Sequence, residues 1–578
     1  MSALRVVRVL PDVPAIDKTF DYLVPDDLRD QVRVGDVVRV VLHGRRVGGW
    51  VVEVEVEPVE GVALRPLAKR SGLGPPPELL ALSEWAAWRW AGRRASLLRT
   101  ASPARVVPAL PAVIARRGTP ARTGPLTDAA LARPRSLLRL PPSADLANVA
   151  LAAADRGPAL VLCPSMAQAR TVASRLRGAG HPVAAHPEGW SLGAAGATVV
   201  GTRAAAWAPV AGLAAVVVLD EHDEAHQQEQ APTWHARDVA LERAGRAGVP
   251  CVLTSPSPSL EALAAADLLV PDRGRERGGW PLVEVVDRRD EEPGRAGLFS
   301  DALVRLVRGD GRVLCVLNRT GRARLLACRS CGDLARCAAC DAAVEQPEGA
   351  LLCRRCGTSR PALCLSCGGT SFKNLRAGVS RVREELEVLV GEPVGEISAA
   401  NQDDASTRVV VGTEALLQRI GRADAVAFLD LDQELLAPRY RAAEQAFALL
   451  ARAARVVAAS GPPRGGRASG RLLLQTRMPD HEVVQGAVHA DPAQVSEAER
   501  SRRQLLRFPP FAALAEVSGA AAAAYVERLG DPPGVQVAAT APGRWLLRAP
   551  DHQVLCDALT GVERPPGRLR VEVDPLRA

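Results

Sequence analysis

Eight of the 12 cysteines form four Cys-x2-Cys pairs: Cys328/Cys331, Cys337/Cys340, Cys353/Cys356 and Cys364/Cys367. Each such knuckle presents two thiolates to one ion, and two knuckles complete a tetrahedral site. Eight thiolates therefore predict two Zn2+ ions. No position is filled by His or left open for water, which favours structural over catalytic zinc. Uniform knuckles also differ from the usual iron–sulfur spacings, and redox-active Cys-x2-Cys pairs are the remaining alternative. Spacing alone does not fix which knuckles pair.

A second piece of chemistry is read from what is missing. Lysine occurs only at Lys18, Lys69 and Lys373, so all but three of the 73 basic residues are arginine. A phosphate-binding loop of the form Gly-x4-Gly-Lys-Ser/Thr needs lysine after glycine, and the chain contains no Gly-Lys pair. A conventional Walker-type ATPase is thereby excluded, although a GC-rich coding sequence would also replace lysine by arginine. Asp220 and Glu221 follow an apolar run, Ala214–Leu219, as acids at the end of a strand. The nearby His222-Asp223-Glu224-Ala225-His226 resembles a zinc-protease HExxH, but its second position is Asp rather than the required Glu.

The elements that must position these residues span 578 residues, 47% hydrophobic and 24% charged, as in a globular protein of several domains. The formal net charge is +8, and residues 312–383 alone carry 13 Lys+Arg against 4 Asp+Glu. A basic cysteine-rich insert of this kind suits contact with nucleic acid. No segment approaches the ~18 apolar residues of a membrane span. The amino terminus has no apolar signal-peptide core, and the paired cysteines suit a reducing compartment. A cytoplasmic location is expected, with no membrane partner.

Short β-rich runs and a helix from Pro77 to Arg94 predict a β-rich domain over residues 1–105. Residues 106–135 read as a linker or a degenerate winged-helix region. Apolar strands alternating with helices then predict a parallel-sheet lobe over 136–297 and a second over 298–480. The cysteine insertion, 326–370, lies inside the second lobe, and a small α/β domain follows over 481–578.

Several separated motifs together resemble the primosomal protein N′ (PriA) family of replication-restart DNA helicases. They are Thr19-Phe20-Asp21-Tyr22-Leu23-Val24-Pro25, Val34-Gly35-Asp36-Val37-Val38-Arg39-Val40, and Asp220-Glu221-His222-Asp223 with Pro232–Ala240 beyond it. Leu317-Asn318-Arg319 before the eight cysteines, Gly412-Thr413-Glu414 and Tyr440-Arg441-Ala442-Ala443-Glu444 complete the likeness. The resemblance implies a multidomain α/β protein with an N-terminal DNA-binding domain and two RecA-like lobes carrying a zinc-binding insertion. It implies nested zinc sites: Cys328, Cys331, Cys364 and Cys367 around one ion, and Cys337, Cys340, Cys353 and Cys356 around the other. It further implies that Phe20, Asp21, Tyr22 and Gly44, with Arg65 where the family usually has lysine, form a pocket for a DNA 3′ end.

The departures bear on activity. In register with the family, Leu146 replaces the phosphate-binding lysine and Ala147 the Mg2+-binding hydroxyl. Pro141 and Pro142 have no amide N–H to offer a phosphate. Val456 and Ala459 stand where arginine fingers are expected, and such a finger is worth ~10³–10⁵ in rate. Asp220 and Glu221 survive in a degenerate nucleotide site. The expectation is a replication-restart protein that binds forked DNA and single-stranded/duplex junctions, promotes primosome assembly and loads the replicative helicase without ATP-driven unwinding. Its expected partners include other primosome proteins and single-stranded DNA-binding protein, and association with the nucleoid follows. The alternatives are an active 3′-5′ helicase with a divergent nucleotide site, and a zinc-stapled scaffold for proteins.

Overall fold

The computed structural model describes residues 5–13, 16–57, 63–112, 124–289, 298–317, 326–346, 349–374, 379–397, 406–459, 461 and 466–576. Asn318 and Arg319, and residues 113–123 of the expected linker, lie outside these.

Alternating valines pair the first strands, Val6–Pro11, Phe20–Leu23, Val37–Leu42 and Arg45–Val54, into one six-stranded sheet with Arg65–Pro66 and Lys69–Gly72. Val7, Val9, Val38, Val40 and Val51 fill its buried face. Residues Leu42 and Arg45 pair across a two-residue turn in which His43 and Gly44 both have positive φ, 48° and 77°. That is the turn that matches strand twist, and it accounts for the glycine at position 44. The following helix ends at Arg89 rather than Arg94, because Ala91 turns left-handed (φ 42°) ahead of Gly92.

The first lobe is a seven-stranded parallel sheet. From one edge its strands run Asp267–Leu269, Arg135–Arg139, Cys251–Ser255, Ala215–Val218, Ala159–Leu162, Thr198–Gly201 and Val183–Ala185. These central strands are almost wholly apolar, as strands covered on both faces must be. The second lobe is a six-stranded parallel sheet of Leu282–Asp287, Arg471–Thr476, Ala425–Phe428, Val313–Val316, Val409–Gly412 and Gly395–Ile397.

Three expected boundaries move. Strand Leu282–Asp287 pairs with Arg471–Thr476 along its whole length, so it belongs to the second lobe and not to 136–297. Helix Pro125–Leu131 buries Ala130 and Leu131 in the first lobe's core, so this part of the expected linker is a lobe element. Helix Glu482–His489 and Val495 of helix Pro492–Leu506 pack into the second lobe through Val483, Val484 and Ala487, so the last domain starts later than 481. That domain's four-stranded antiparallel sheet shares one apolar core with the first lobe and with helix Pro77–Arg89. Among the described residues no helix is long and apolar enough to cross a membrane.

Candidate functional site

The cysteines gather into two tetrads, Cys328/Cys331/Cys364/Cys367 and Cys337/Cys340/Cys353/Cys356, with all four sulfurs of each within 4.8 Å of one another. Measured pairs include Cys328–Cys367 and Cys331–Cys364 at 3.6 Å, and Cys340–Cys353 at 3.5 Å. Four sulfurs about 2.3 Å from a central zinc would stand about 3.8 Å apart, so the donor set fits a tetrahedral ion. Each knuckle is built alike. The residue after its second cysteine is left-handed, Gly332, Asp341, Gly357 and Gly368, with φ of 78°, 61°, 77° and 73°. Its N–H returns to the carbonyl of the first cysteine at 2.9–3.0 Å in all four. Three of the four are therefore glycine for a conformational reason.

The inner tetrad is seated on the second lobe. Arg355, inside its second knuckle, donates to the Tyr440 carbonyl at 3.2 Å, and Ala343 N–H donates to Leu436 O at 2.8 Å. The outer tetrad faces solvent through Cys331 and Cys367.

The second candidate is the cleft between the lobes. Leu146 and Ala147, at the start of helix Ala147–Asp155, are buried in the first lobe's apolar core. The amides there are already used: Ala147 N–H donates to Asp145 Oδ1 at 3.1 Å, and Val149 N–H to Leu146 O at 3.2 Å. Pro141 rests on Gly279 so closely that a Cβ added there would lie 2.3 Å from the proline Cβ.

Asp220 follows strand Ala215–Val218 with a φ of 52° and is 2% exposed. Arg455, on helix Ala442–Ala458 of the opposite lobe, grips both its carboxylate oxygens, at 2.6 and 2.8 Å. The same guanidinium donates through Nε to Pro142 O at 3.2 Å. Burial alone would raise the Asp220 pKa, but the Arg455 charge and its hydrogen bonds outweigh this and hold it well below the usual carboxylate range. Glu221, fully buried, accepts from Ser259 N–H at 2.9 Å, Ser259 Oγ at 2.8 Å and Arg237 at 3.3 Å. Both of its carboxylate oxygens are thus held by protein donors.

The remaining contacts of this helix reinforce the pattern. Arg452 pairs with Asp223, Gln445 donates to Glu224, and Arg441 meets Glu261 at 2.6 Å. Glu444 Oε1 accepts from Leu260 N–H at 2.9 Å. Beside them lies a polar cavity of about 770 Å³ whose lining includes seven arginines and nine carboxylates. It lacks the basic surplus that a groove for a nucleic-acid backbone needs. His222 engages Ser255 and His226 the Leu219 carbonyl, and among the described residues the HExxH-like run is part of no metal-ligand cluster.

The expected 3′-end residues all lie on the N-terminal sheet, with Asp21 on the face opposite Phe20 and Tyr22. Tyr22 pairs in register with Arg65, and its buried ring sends a hydroxyl toward Val41 O at 3.4 Å. Phe20 is half-buried against the same core. Asp21 is held by Arg8, Nε to Oδ1 at 2.9 Å, and Arg8 also reaches Glu53 at 2.8 Å. Gly44 sits at the hairpin tip with open space around it.

Comparison with known proteins places this geometry. The family model for the PriA 3′DNA-binding domain (3′BD) matches residues 8–103. The replication restart protein PriA of Bacillus subtilis is 28% identical over 353 residues, covering 55% of this chain and 43% of that protein. That of Treponema pallidum is 30% identical, covering 55% and 51%. The chain thus spans about half the length of these relatives. Against the protein named "Probable replication restart protein PriA" of Mycobacterium tuberculosis, identity is 30% over 623 residues, 96% of this chain and 91% of that protein. The chain belongs to the PriA replication restart family.

In this PriA-family chain the fold is an N-terminal 3′BD, two parallel-sheet α/β lobes and a cysteine-rich insertion able to hold two metal ions. The solved Saccharomyces cerevisiae Dbp5 bound to RNA and ADP BeF3 aligns over 67% of this chain and 94% of its own, at 13% identity and a TM-score of 0.35. That is too distant to inform the site. Sequence reasoning missed two residues, Arg455 and Arg8. Arg455 lay in the segment noted for its missing arginines, and its helical spacing from Arg441 and Arg452 was the available signal. Arg8 carried no motif.

Proposed function

We propose that the chain is a replication-restart protein that grips forked DNA and serves as an assembly platform, without an ATP-driven motor. The observation that carries this reading is Arg455 holding both oxygens of Asp220 across the lobe cleft. A nucleotide-driven lobe pair needs that carboxylate for a metal bridging phosphates. Leu146, Ala147 and the two prolines supply none of the phosphate cradle.

The two cysteine tetrads are read as structural Zn2+ sites, with Cys328, Cys331, Cys364 and Cys367 holding one ion and Cys337, Cys340, Cys353 and Cys356 the other. Zinc there would staple the insertion, which has too little apolar core to fold by burial alone. The N-terminal sheet is read as the 3′-end pocket, with Phe20, Tyr22, Gly44 and Arg65 shaping it. Asp21, oriented by Arg8, would accept from a terminal 3′-OH and repel a continuing phosphate. Arginines on phosphates position a protein without reading bases, so recognition depends on fork structure. Loading of the replicative helicase, with primosome proteins and single-stranded DNA-binding protein as partners, completes the reading.

The test is a fork assay with the full-length protein, Mg-ATP present or absent, on forks ending in 3′-OH or 3′-phosphate. The expected result is tight, ATP-independent binding that favours the 3′-OH fork, with both arms remaining paired. ATP-dependent strand separation would overturn the motorless reading.

A further inference from the structure

We infer that the two lobes are latched shut by the chain itself, through one polar face of the helix that in a motor would respond to nucleotide. Glu444, Gln445, Arg452 and Arg455 stand 3, 4, 11 and 14 residues beyond Arg441, which puts all five along one side of helix Ala442–Ala458 and the turn before it. Every one of them contacts the first lobe. Arg441 meets Glu261, Glu444 caps Leu260 N–H, Gln445 reaches Glu224, Arg452 pairs with Asp223, and Arg455 chelates Asp220. The opposite face of the helix, with Phe447, Leu450, Ala454 and Val457, is buried in the second lobe's core, so the polar side chains move with that lobe as one body.

Arg503 adds a further tie. It is 1% exposed and contacts Glu261 of the first lobe at 3.3 Å as well as Glu444 of the second and Glu499 of its own helix. The pairs are arginine–carboxylate contacts at both ends of the cleft, and at Asp220 the contact is bidentate, the strongest form.

A ligand can move a two-state equilibrium only by its differential affinity for the two states. Here Asp220, Asp223, Glu224 and Glu261 already have side-chain partners from the opposite lobe, which a nucleotide would have to displace before it could drive the lobes. The lobe arrangement is therefore fixed, and the surface offered to DNA and partner proteins does not cycle. The inference uses the same cleft as the motorless reading but fails separately: unwinding by ATP overturns that reading, whereas a mobile seam overturns the latch.

Hydrogen-exchange mass spectrometry on the full chain tests it. Three proteins are compared: the native chain, the double variant Asp220→Asn/Arg455→Met, which removes the charges and keeps the bulk, and Arg452→Gln. In the native chain, peptides covering 140–147, 219–226 and 441–456 should be protected, and Mg-ATP should leave them unchanged. The double variant should exchange about tenfold faster on both sides of the cleft while strands Val37–Leu42 and Arg45–Val54 keep native protection. Arg452→Gln should show a smaller rise centred on Asp223. Native-like protection in the double variant, or a response of the native seam to Mg-ATP, would overturn the latch. Should the double variant not fold, Arg452→Gln decides alone, and unchanged exchange at Asp223 overturns it.

Discussion

The cysteine insertion and the lobe cleft are two polar constructions on the same second lobe, and their contents differ in kind. In the insertion four thiols of each tetrad converge within 4.8 Å of one another, a set of like donors that fits a metal ion. In the cleft every charged group contacted by Arg441–Arg455 points at a protein partner, so the geometry asks for nothing. A site that awaits a ligand leaves converging donors of like kind, whereas a site that has been closed pairs donors with acceptors.

The largest effect expected from breaking this contrast is on the metal side. Cys353→Ser should reduce bound zinc from two ions per chain to one after dialysis, measured by atomic absorption. It should also unfold the inner module, since structural zinc supplies roughly 10–16 kcal/mol to such folds. Zinc content unchanged in this variant would remove Cys353 as a ligand.

The matching experiment on the cleft leaves one charge stranded. Arg455→Ala leaves the buried Asp220 carboxylate without its partner and should cost about 3 kcal/mol in chemical denaturation. Because Arg455 keeps 36% of its side chain in solvent, the low end of the usual range is expected. The Asp220→Asn/Arg455→Met pair should cost far less, since no charge is left buried. Equal losses would mean that packing, and not the ion pair, holds the seam.

Acid should separate the two regions again. His222, His226 and His235 border the cleft, and burial pushes the pKa of each below its ordinary value. As pH falls below about 6.5 the unfolded chain takes up protons that the folded cleft resists, so the stability these groups supply is full above that pH and declines beneath it. Denaturation midpoints at pH 7.5 and 6 should show the loss. The insertion, residues 326–374, contains no histidine, and its zinc content should not follow this titration.

The smallest effect is conformational. Gly357→Ala, at a φ of 77° with open space around it, should cost about 1 kcal/mol from the backbone alone. Zinc stoichiometry should remain two, measured with the same assay as Cys353→Ser.

What the sequence could disclose follows the same division. A knuckle is written in five consecutive residues, Cys-x2-Cys and a left-handed successor, so both its presence and its glycine are readable along the chain. The parallel strands were readable for the same reason, as apolar runs bounded by turns. Partnership across the fold was not. Arg455 and Asp220 stand 235 residues apart, and the segment around Arg455 showed only which arginines it lacked. Asp21 looked available until Arg8, on the neighbouring strand, was found against it. Strand Leu282–Asp287 fell in the wrong lobe because a parallel strand's partner is chosen by tertiary packing, and its partner Arg471–Thr476 lies far along the chain.

The central claim is that the cleft is filled by the chain's own charges and drives no motor. DNA-stimulated ATP hydrolysis by the purified full-length protein tests it most directly, using forked DNA and saturating Mg-ATP. The account predicts phosphate release no faster than the rate without protein. Turnover above about 1 per second, within the ordinary range for enzymes, would contradict it.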